Sequence, residues 1–190
     1  SNIMSEAKTE KSKSKFKVID LVYIGLSAAL IAVCSWISIP LPTVPITLQT
    51  MGVVLIASLF GAKRGVIATV VYILLGAIGV PVFSGFSSGL GVIGGATGGY
   101  IIGFIFTALI VGITADKTNK LWALVVSMII GILVCYAFGT AWFAIVYTNK
   151  GTPMGVGTIL GMCVVPFLIP DAVKIVIAAV LTNRLKRFIK

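Results

Sequence analysis

The chain has 190 residues, of which 58% are hydrophobic and only 11% are charged, with 15 basic and five acidic side chains. Soluble domains have roughly 45–50% apolar and about 25% charged residues, so the composition predicts an integral membrane protein. It excludes a cytosolic enzyme with a conventional core, a nucleic-acid-binding module and a disulfide-stapled secreted domain. Residues 1–15 are polar and lysine-rich and are predicted to be a mobile tail, with Met4 taken as the natural first residue and residues 1–3 as remnants of expression.

Uncharged stretches long enough to cross a membrane follow one another along the rest of the chain. A transmembrane helix needs about 20 mainly apolar residues to cross about 30 Å of hydrocarbon. The second stretch is short, and the fifth is long enough to tilt. We predict an all-α bundle of six transmembrane helices over residues 16–190, with spans near 17–37, 46–60, 65–81, 97–115, 120–147 and 158–183.

The basic residues are concentrated on one side of this arrangement. An even number of spans places both termini on the same side, and 13 Lys and Arg residues flank the spans there, against Lys150 alone on the other side. Connections rich in Lys and Arg are typically cytoplasmic, so both termini are predicted to be cytoplasmic. The net charge of +10 is then explained by orientation and by attraction to anionic lipid, and no nucleic-acid partner is expected.

Two connections on the outer side are too irregular for simple helices. Segment 38–50 contains Pro40, Pro42 and Pro45, which remove backbone donors and disfavour helix. Segment 81–99 is rich in glycine. Irregular backbone at membrane depth must pack against protein or line a cavity, because unsatisfied peptide groups cannot face lipid.

Small residues recur at a spacing of four in two places. Gly91, Gly95, Gly99 and Gly103 predict a ridge that lets two helices approach closely. On the first span, Gly25, Ala28, Ala29 and Ala32 form another small-residue face, with an AxxxA spacing from Ala28 to Ala32. The AxxxA spacing fits packing inside the bundle and docking of a membrane partner equally well.

The most informative local feature is a pair of opposite charges in the sixth span. Asp171 and Lys174 are three residues apart, so on a helix their side chains share a face. An ionisable group at the bilayer centre costs at least about 2.5–3.5 kcal/mol and usually faces the protein interior, where it has a function. A structural ion pair and a proton relay remain alternatives. The pair also offers acceptors and donors that suit a neutral ligand with adjacent N–H groups and a carbonyl.

Several classes of chemistry lack the residues they need. The chain has no His, and its three Cys residues are isolated in apolar sequence, so neither a metal site nor disulfide chemistry is expected. No P-loop motif occurs, and we therefore expect no ATP hydrolysis by that route. Six short spans without an evident inverted repeat are small for a secondary transporter. These features favour a binding subunit that takes energy from partner proteins.

Four motifs in order along the chain carry a resemblance to a known family. They are VPITLQT at 44–50, GAIGVPVFSG at 76–85, SGLGVIGGATGGYIIGF at 88–104 and PFLIPDAVK at 166–174. Together they resemble BioY, the biotin-binding S components of energy-coupling-factor (ECF) transporters, from about residue 20 to the sixth span. Ala96 departs from the proline that the family usually has before TGGY.

This resemblance implies a non-enzymatic membrane subunit of a prokaryotic plasma membrane. It would capture biotin outside and release it inward, together with a transmembrane coupling protein and two ATPase subunits that use ATP and Mg²⁺. No cofactor is implied for the chain itself. In the family the aligned acid and lysine bind the ureido ring, so Asp171 would accept a ureido N–H and Lys174 would donate to the ureido carbonyl.

Further contacts follow from the resemblance and from residue chemistry. Gln49 resembles a binding position of the family, and the AxxxA face of Ala28 and Ala32 resembles the surface that docks the coupling protein. No Arg lies on the outer side for the biotin carboxylate, so Ser84, Ser87, Thr97 and backbone N–H groups are proposed instead. The candidates for the apolar walls, which fit core or interfacial positions equally well, are Phe83, Phe86, Tyr100 and Trp142.

Other functions also fit the sequence. The same architecture could bind another vitamin. A standalone proton-coupled carrier or channel belongs to a different class, and an integral-membrane enzyme is more distant.

Overall fold

The computed structural model describes residues 17–41 and 44–189. The predicted polar tail and Pro42 lie outside these described residues. Within them the chain is mainly helical, as predicted, with one short antiparallel strand pair. In chain order the elements are α1 (Val18–Trp36), β1 (Ser38–Ile39), β2 (Ile46–Thr47), α2 (Gln49–Ala77), α3 (Leu90–Ile93), α4 (Gly98–Lys117), α5 (Leu121–Asn149), α6 (Val156–Cys163) and α7 (Leu168–Leu185), with 3₁₀ turns at Ser84–Phe86, Val165–Phe167 and Lys186–Phe188.

Five helical stretches of the described chain are long and apolar enough to cross a membrane: α1, α2, α4, α5 and the stretch Val156–Phe188. The predicted first, fourth and fifth spans agree with α1, α4 and α5 to within about two residues. The predicted sixth span is broken into α6 and α7. Pro166 lies in the 3₁₀ turn between them. The helix is interrupted there because proline has no N–H and disfavours helix at the preceding residue.

Helix α2 folds back on itself at Gly61. This residue has φ 86 and ψ −178, a conformation that glycine adopts at little steric cost. The Nε2 atom of Gln49 lies 2.7 Å from the hydroxyl of Tyr72, 23 residues further along. A straight helix of that length would extend about 35 Å. The element is therefore a hairpin of two antiparallel helical arms, residues 49–60 and 62–77.

The two arms correspond to the predicted second and third spans. They pack closely near the turn, where a Cβ added to Gly65 would lie 3.0 Å from the Cα of Ala57. Lys63 and Arg64, predicted to lie in a turn, belong instead to the beginning of the second arm.

Close helix packing in the bundle depends on small residues. A Cβ on Gly99 would lie 2.2 Å from the Cβ of Trp142, and one on Gly103 would lie 3.0 Å from the Sγ of Cys135. These contacts confirm the predicted ridge between α4 and α5 at Gly99 and Gly103. A Cβ on Gly95 would meet only the backbone of its own segment, and one on Gly91 would meet nothing within 4 Å, so the ridge does not extend to either residue.

The AxxxA face of α1 lies inside the bundle. Ala28 and Ala32 are 4% and 5% exposed and belong to the main core, where α1 packs against α2. This placement favours packing inside the bundle over docking of a partner for Ala28 and Ala32, because their side chains already pack against the chain's own core. The small residues that α1 exposes are Gly25 and Ala29.

One end of the bundle, which we call the basic end, brings together the turn of α2, the α4–α5 connection and the C-terminal part of α7. Arg64 Nε lies 2.7 Å from Asp20 Oδ1. The backbone N–H of Ala62 donates to Asp116 Oδ2 at 3.2 Å. The described basic residues at this end are Lys17, Lys63, Arg64, Lys117, Lys120, Arg184, Lys186 and Arg187.

The opposite end, which we call the loop end, contains the strand pair and the long α2–α4 connection. The indole N–H of Trp36 donates to the carbonyl of Pro81 at 2.9 Å, which ties this connection to the end of α1. Among the residues that the structure describes, Lys150 is the only Lys or Arg in the connections of this end. The charge asymmetry of the sequence is thus also an asymmetry between the two ends of the fold.

Candidate ligand-binding site

A cavity of about 370 Å³ lies at the loop end. It is enclosed by the segment before α2, the α2–α4 connection, and side chains of α4, α5 and the α6–α7 region. Both irregular connections of the sequence therefore line it. Most of its wall is apolar, with contributions from Val92, Ile101, Phe104, Ile132 and Phe167.

Asp171 and Lys174 lie side by side in this cavity wall. The Lys174 ammonium donates to Asp171 Oδ1 at 2.9 Å, and each residue is 5% exposed. Pro170 is compatible with the first turn of α7, because the N–H that proline lacks would have no partner within the helix there. Asp171 and Lys174 therefore lie about one helical turn apart at the beginning of α7, just after the break between α6 and α7. Together they form a strongly polar, formally neutral spot in an apolar wall.

Tyr136, which the sequence did not single out, completes this polar cluster. Its hydroxyl donates to Asp171 Oδ2, the carboxylate oxygen that Lys174 leaves open. Tyr136 also lines the cavity. No local pattern marks it, because it lies in the long apolar run of α5 and its partner is 35 residues away.

Gln49, the first residue of α2, lines the cavity, and a buried hydrogen-bond network holds its amide in place. Its Nε2 donates to the Tyr72 hydroxyl at 2.7 Å. The same hydroxyl donates to the carbonyl of Val82 at 2.8 Å and lies 2.6 Å from the Oγ of Ser35. The network fixes Gln49 in the wall and leaves its other amide atom, Oε1, as a free acceptor among the hydrogen bonds of the described chain.

The α2–α4 connection supplies a mixed wall. Phe83 is buried with its ring over Gly76, where a Cβ would lie 2.1 Å from the ring, and it packs edge-on against Tyr72 at 5.7 Å between centroids. Ser84 and Ser87 line the cavity, and the Ser87 hydroxyl donates to the Ser84 carbonyl at 2.7 Å. This internal bond orders the connection.

Thr97 and Tyr100 line the cavity at the beginning of α4. The Tyr100 hydroxyl lies 3.2 Å from Thr140 Oγ1, and its ring packs against Gly139. The ring is thereby held between α4 and α5 as a flat wall of the cavity.

Two of the predicted aromatic contacts are outside the cavity. Phe86 is 65% exposed and stacks on Trp36 with 5.4 Å between ring centroids. Trp142 donates its indole N–H to the Gly95 carbonyl at 2.9 Å, which supports the wall from behind. Neither ring lines the cavity in this structure, so the cavity does not bring Phe86 and Trp142 together with the other predicted contacts.

The cavity can accommodate a ligand that is apolar over most of its surface and carries one compact polar group. The described residues contain no cluster of three or more His, Cys, Asp or Glu side chains that could hold a metal ion. The Asp171 carboxylate accepts hydrogen bonds, while the Lys174 ammonium donates them. These are the features of a site that binds a ligand.

Comparisons with known proteins agree with this architecture. The family model of the BioY family matches residues 8–190. The chain is 40% identical over 167 residues to a biotin transporter BioY of Thermotoga maritima, covering 88% of this chain and 95% of that protein. It is 39% identical over 173 residues to a probable biotin transporter BioY of Pyrococcus horikoshii, covering 90% of this chain and 98% of that protein.

A solved structure shows the same fold. It is the S-component for biotin from an ECF-type ABC transporter, with a TM-score of 0.79 and 27% sequence identity, covering 90% of this chain and 92% of that chain. Fold and cavity thus define a multi-pass, all-helical membrane protein of the S-component type. The chain belongs to the BioY family.

Proposed function

We propose that this chain captures biotin in the cavity at the loop end, as the substrate-binding subunit of an ECF-type uptake transporter. The observation that carries the proposal is the buried pair of Asp171 and Lys174 in an otherwise apolar cavity. Biotin fits this pattern because its ureido ring is polar and neutral, whereas the rest of its bicyclic core is apolar.

The ureido group has two N–H donors and one carbonyl acceptor. Asp171 accepts a ureido N–H, and Lys174 donates to the ureido carbonyl. The hydrogen bonds from Lys174 and Tyr136 engage different carboxylate oxygens. Each oxygen has two lone-pair sites, so both can still accept a bond from the ligand.

The remaining contacts follow from the lining. Phe83 and Tyr100 provide flat apolar surface for the bicyclic core. Ser84, Ser87 and Thr97 are the hydroxyl donors of the wall, and with backbone N–H groups they are proposed to bind the valerate carboxylate. Gln49 offers its amide oxygen to a second ligand donor.

We further propose six membrane segments with both termini in the cytoplasm. The arms of α2 count separately, although twelve residues of the first arm extend only about 18 Å and do not cross the hydrocarbon alone. The basic end faces the cytoplasm because Lys and Arg are concentrated there. The cavity then lies toward the outside, where a scarce vitamin is captured.

Uptake requires energy from partner subunits. A transmembrane coupling protein and two ATPase subunits, with ATP and Mg²⁺, are proposed to drive reorientation of this chain and inward release. On α1 the exposed small residues Gly25 and Ala29, rather than the buried alanines, are available for a closely packed helix of the coupling protein.

Equilibrium binding with purified chain tests the proposal. Radiolabelled biotin is expected to bind saturably and to be displaced by unlabelled biotin and by desthiobiotin, which keeps the ureido ring. Riboflavin, thiamin and the ring-opened diamine of biotin, which lacks the ureido carbonyl, are expected not to compete. Displacement by riboflavin or thiamin, or equal competition by the diamine, would refute biotin recognition through the ureido group.

A further inference from the structure

A second cavity lies at the basic end, and nothing in the proposed transport function uses it. It measures about 520 Å³ and is enclosed by the turn of α2, the α4–α5 connection and the C-terminal part of α7. It shares no lining residue with the cavity at the loop end. We call it the basic-end crevice.

A buried hydroxyl without a partner lines this crevice. Thr182 is completely buried, and its Oγ1 has no hydrogen-bond partner within residues 17–41 and 44–189. Buried polar groups are nearly always paired, and an unpaired one in a cavity wall is a position where a ligand or an ordered water supplies the partner. A threonine hydroxyl can donate to an anionic oxygen.

Two cations extend this donor set. Lys186 and Arg187 both line the crevice, and Lys186 donates to Asn119 Oδ1 at 3.3 Å, which places its ammonium across the opening from α7 to the α4–α5 connection. An arginine fork and a lysine ammonium are the side chains that bind phosphate oxygens most readily.

One acid lines the crevice as well, and its charge is already engaged. Asp116 Oδ2 accepts the backbone N–H of Ala62 at 3.2 Å, at the beginning of the second arm of α2. The first N–H groups of a helix carry partial positive charge, which offsets part of the carboxylate charge. The crevice therefore remains positive overall.

The crevice also has an apolar border. Leu59, Phe60, Leu121 and Ile189 line it, and Leu121 is partly exposed on the outside of the bundle. A ligand that carries both a phosphate and hydrocarbon chains matches such a border better than a fully polar ligand does. We propose that the basic-end crevice binds an anionic phospholipid, with its phosphate headgroup at Thr182, Lys186 and Arg187 and its acyl chains along the apolar border.

Native mass spectrometry of the purified full chain, titrated with phosphatidylglycerol or phosphatidylcholine, tests this proposal. Phosphatidylglycerol is expected to bind at least about tenfold more tightly. Lys186→Gln and Arg187→Gln are each expected to weaken its binding about fivefold, the effect of one cation near an anionic headgroup. Thr182→Val, which changes no charge, is expected to weaken it about threefold.

The matched control is Arg184→Gln, which removes one exposed cation from the last turn of α7 outside the crevice. Its effect is expected to be less than twofold. An equal loss with Arg184→Gln, or unchanged binding with Thr182→Val, would overturn the site in favour of diffuse attraction. Displacement of the lipid by millimolar inorganic phosphate would instead identify a free-phosphate site and also overturn the proposal. Retained biotin binding by each variant shows that it is folded.

Discussion

The side-chain amide of Gln49 donates a hydrogen bond to the hydroxyl of Tyr72 and so joins the beginning of the first arm of α2 to the second arm. The same hydroxyl contacts Ser35 of α1 and the carbonyl of Val82 in the α2–α4 connection. Four segments thus meet at one buried oxygen behind the cavity wall. This network makes the position of Gln49 depend on the fold of the hairpin.

Replacing Tyr72 by Phe is expected to destabilise the protein. The change leaves the Gln49 amide and the Val82 carbonyl without their partner in a buried place, which costs about 1–3 kcal/mol. A lower midpoint of thermal unfolding in detergent is the expected measurement, together with weaker biotin binding. The control is Tyr147→Phe, whose ring stacks on Phe143 outside the cavity. Equal midpoints for the two variants would contradict the role of the network.

The turn at Gly61 predicts a second destabilising change. Gly61→Ala would force a side chain into a left-handed φ and place its Cβ 2.0 Å from Asp116 Oδ1. We expect a loss of at least about 1–3 kcal/mol, seen as a lower unfolding midpoint. Gly157→Ala is the control, since Gly157 is exposed in α6 and a Cβ there meets nothing within 4 Å. An unchanged midpoint for Gly61→Ala would show that the hairpin does not need this turn.

Tyr136→Phe is expected to weaken biotin binding by about 3- to 10-fold. The hydroxyl orients the Asp171 carboxylate, and a hydrogen bond to a buried group contributes about 0.5–1.5 kcal/mol. Titration of folded, monodisperse protein measures the effect, with Tyr147→Phe again as control. Affinity equal to that of the unmodified chain would remove Tyr136 from the site.

The outer face of α1 gives a prediction about energy coupling. Trp at Gly25 or Ala29 is expected to leave biotin binding intact and to abolish ATP-driven uptake by the assembled transporter, because a large ring prevents close helix packing. Leu30→Trp, on a different exposed side of α1, should preserve uptake. Ala28→Trp should instead reduce stability, since it overpacks the core. Normal uptake with both Gly25→Trp and Ala29→Trp would place the docking surface elsewhere.

The sequence was sufficient for the helical class and for the polar pair. Hydrophobic stretches and their flanking charges are local properties, so α1, α4 and α5 were predicted to within about two residues. The spacing of Asp171 and Lys174 places them on one face wherever this segment is helical, and the structure joins them at 2.9 Å.

Properties that depend on contacts between distant segments were not predictable. The one-residue turn of α2 depends on Gly61 and on Asp116, which lies 54 residues beyond the hydrogen-bonded Ala62. The inward direction of Ala28 depends on where α2 packs. Phe86 was predicted to line the cavity and does not line it, whereas Tyr136 was not predicted and does. In both cases the rotation and placement of the side chain in the fold decide whether the ring enters the cavity.

The dissociation constant of biotin for Asp171→Asn and for Lys174→Met tests the central claim most directly. Each variant removes one partner of the ureido ring and is expected to weaken binding by more than about 1.5 kcal/mol, or more than about tenfold. Each single variant leaves the other member of the pair without an opposite charge, and the double variant controls for this uncompensated charge. The unfolding midpoint of each variant shows whether it is folded. Affinities equal to that of the unmodified chain in folded single variants would contradict ureido recognition by this pair.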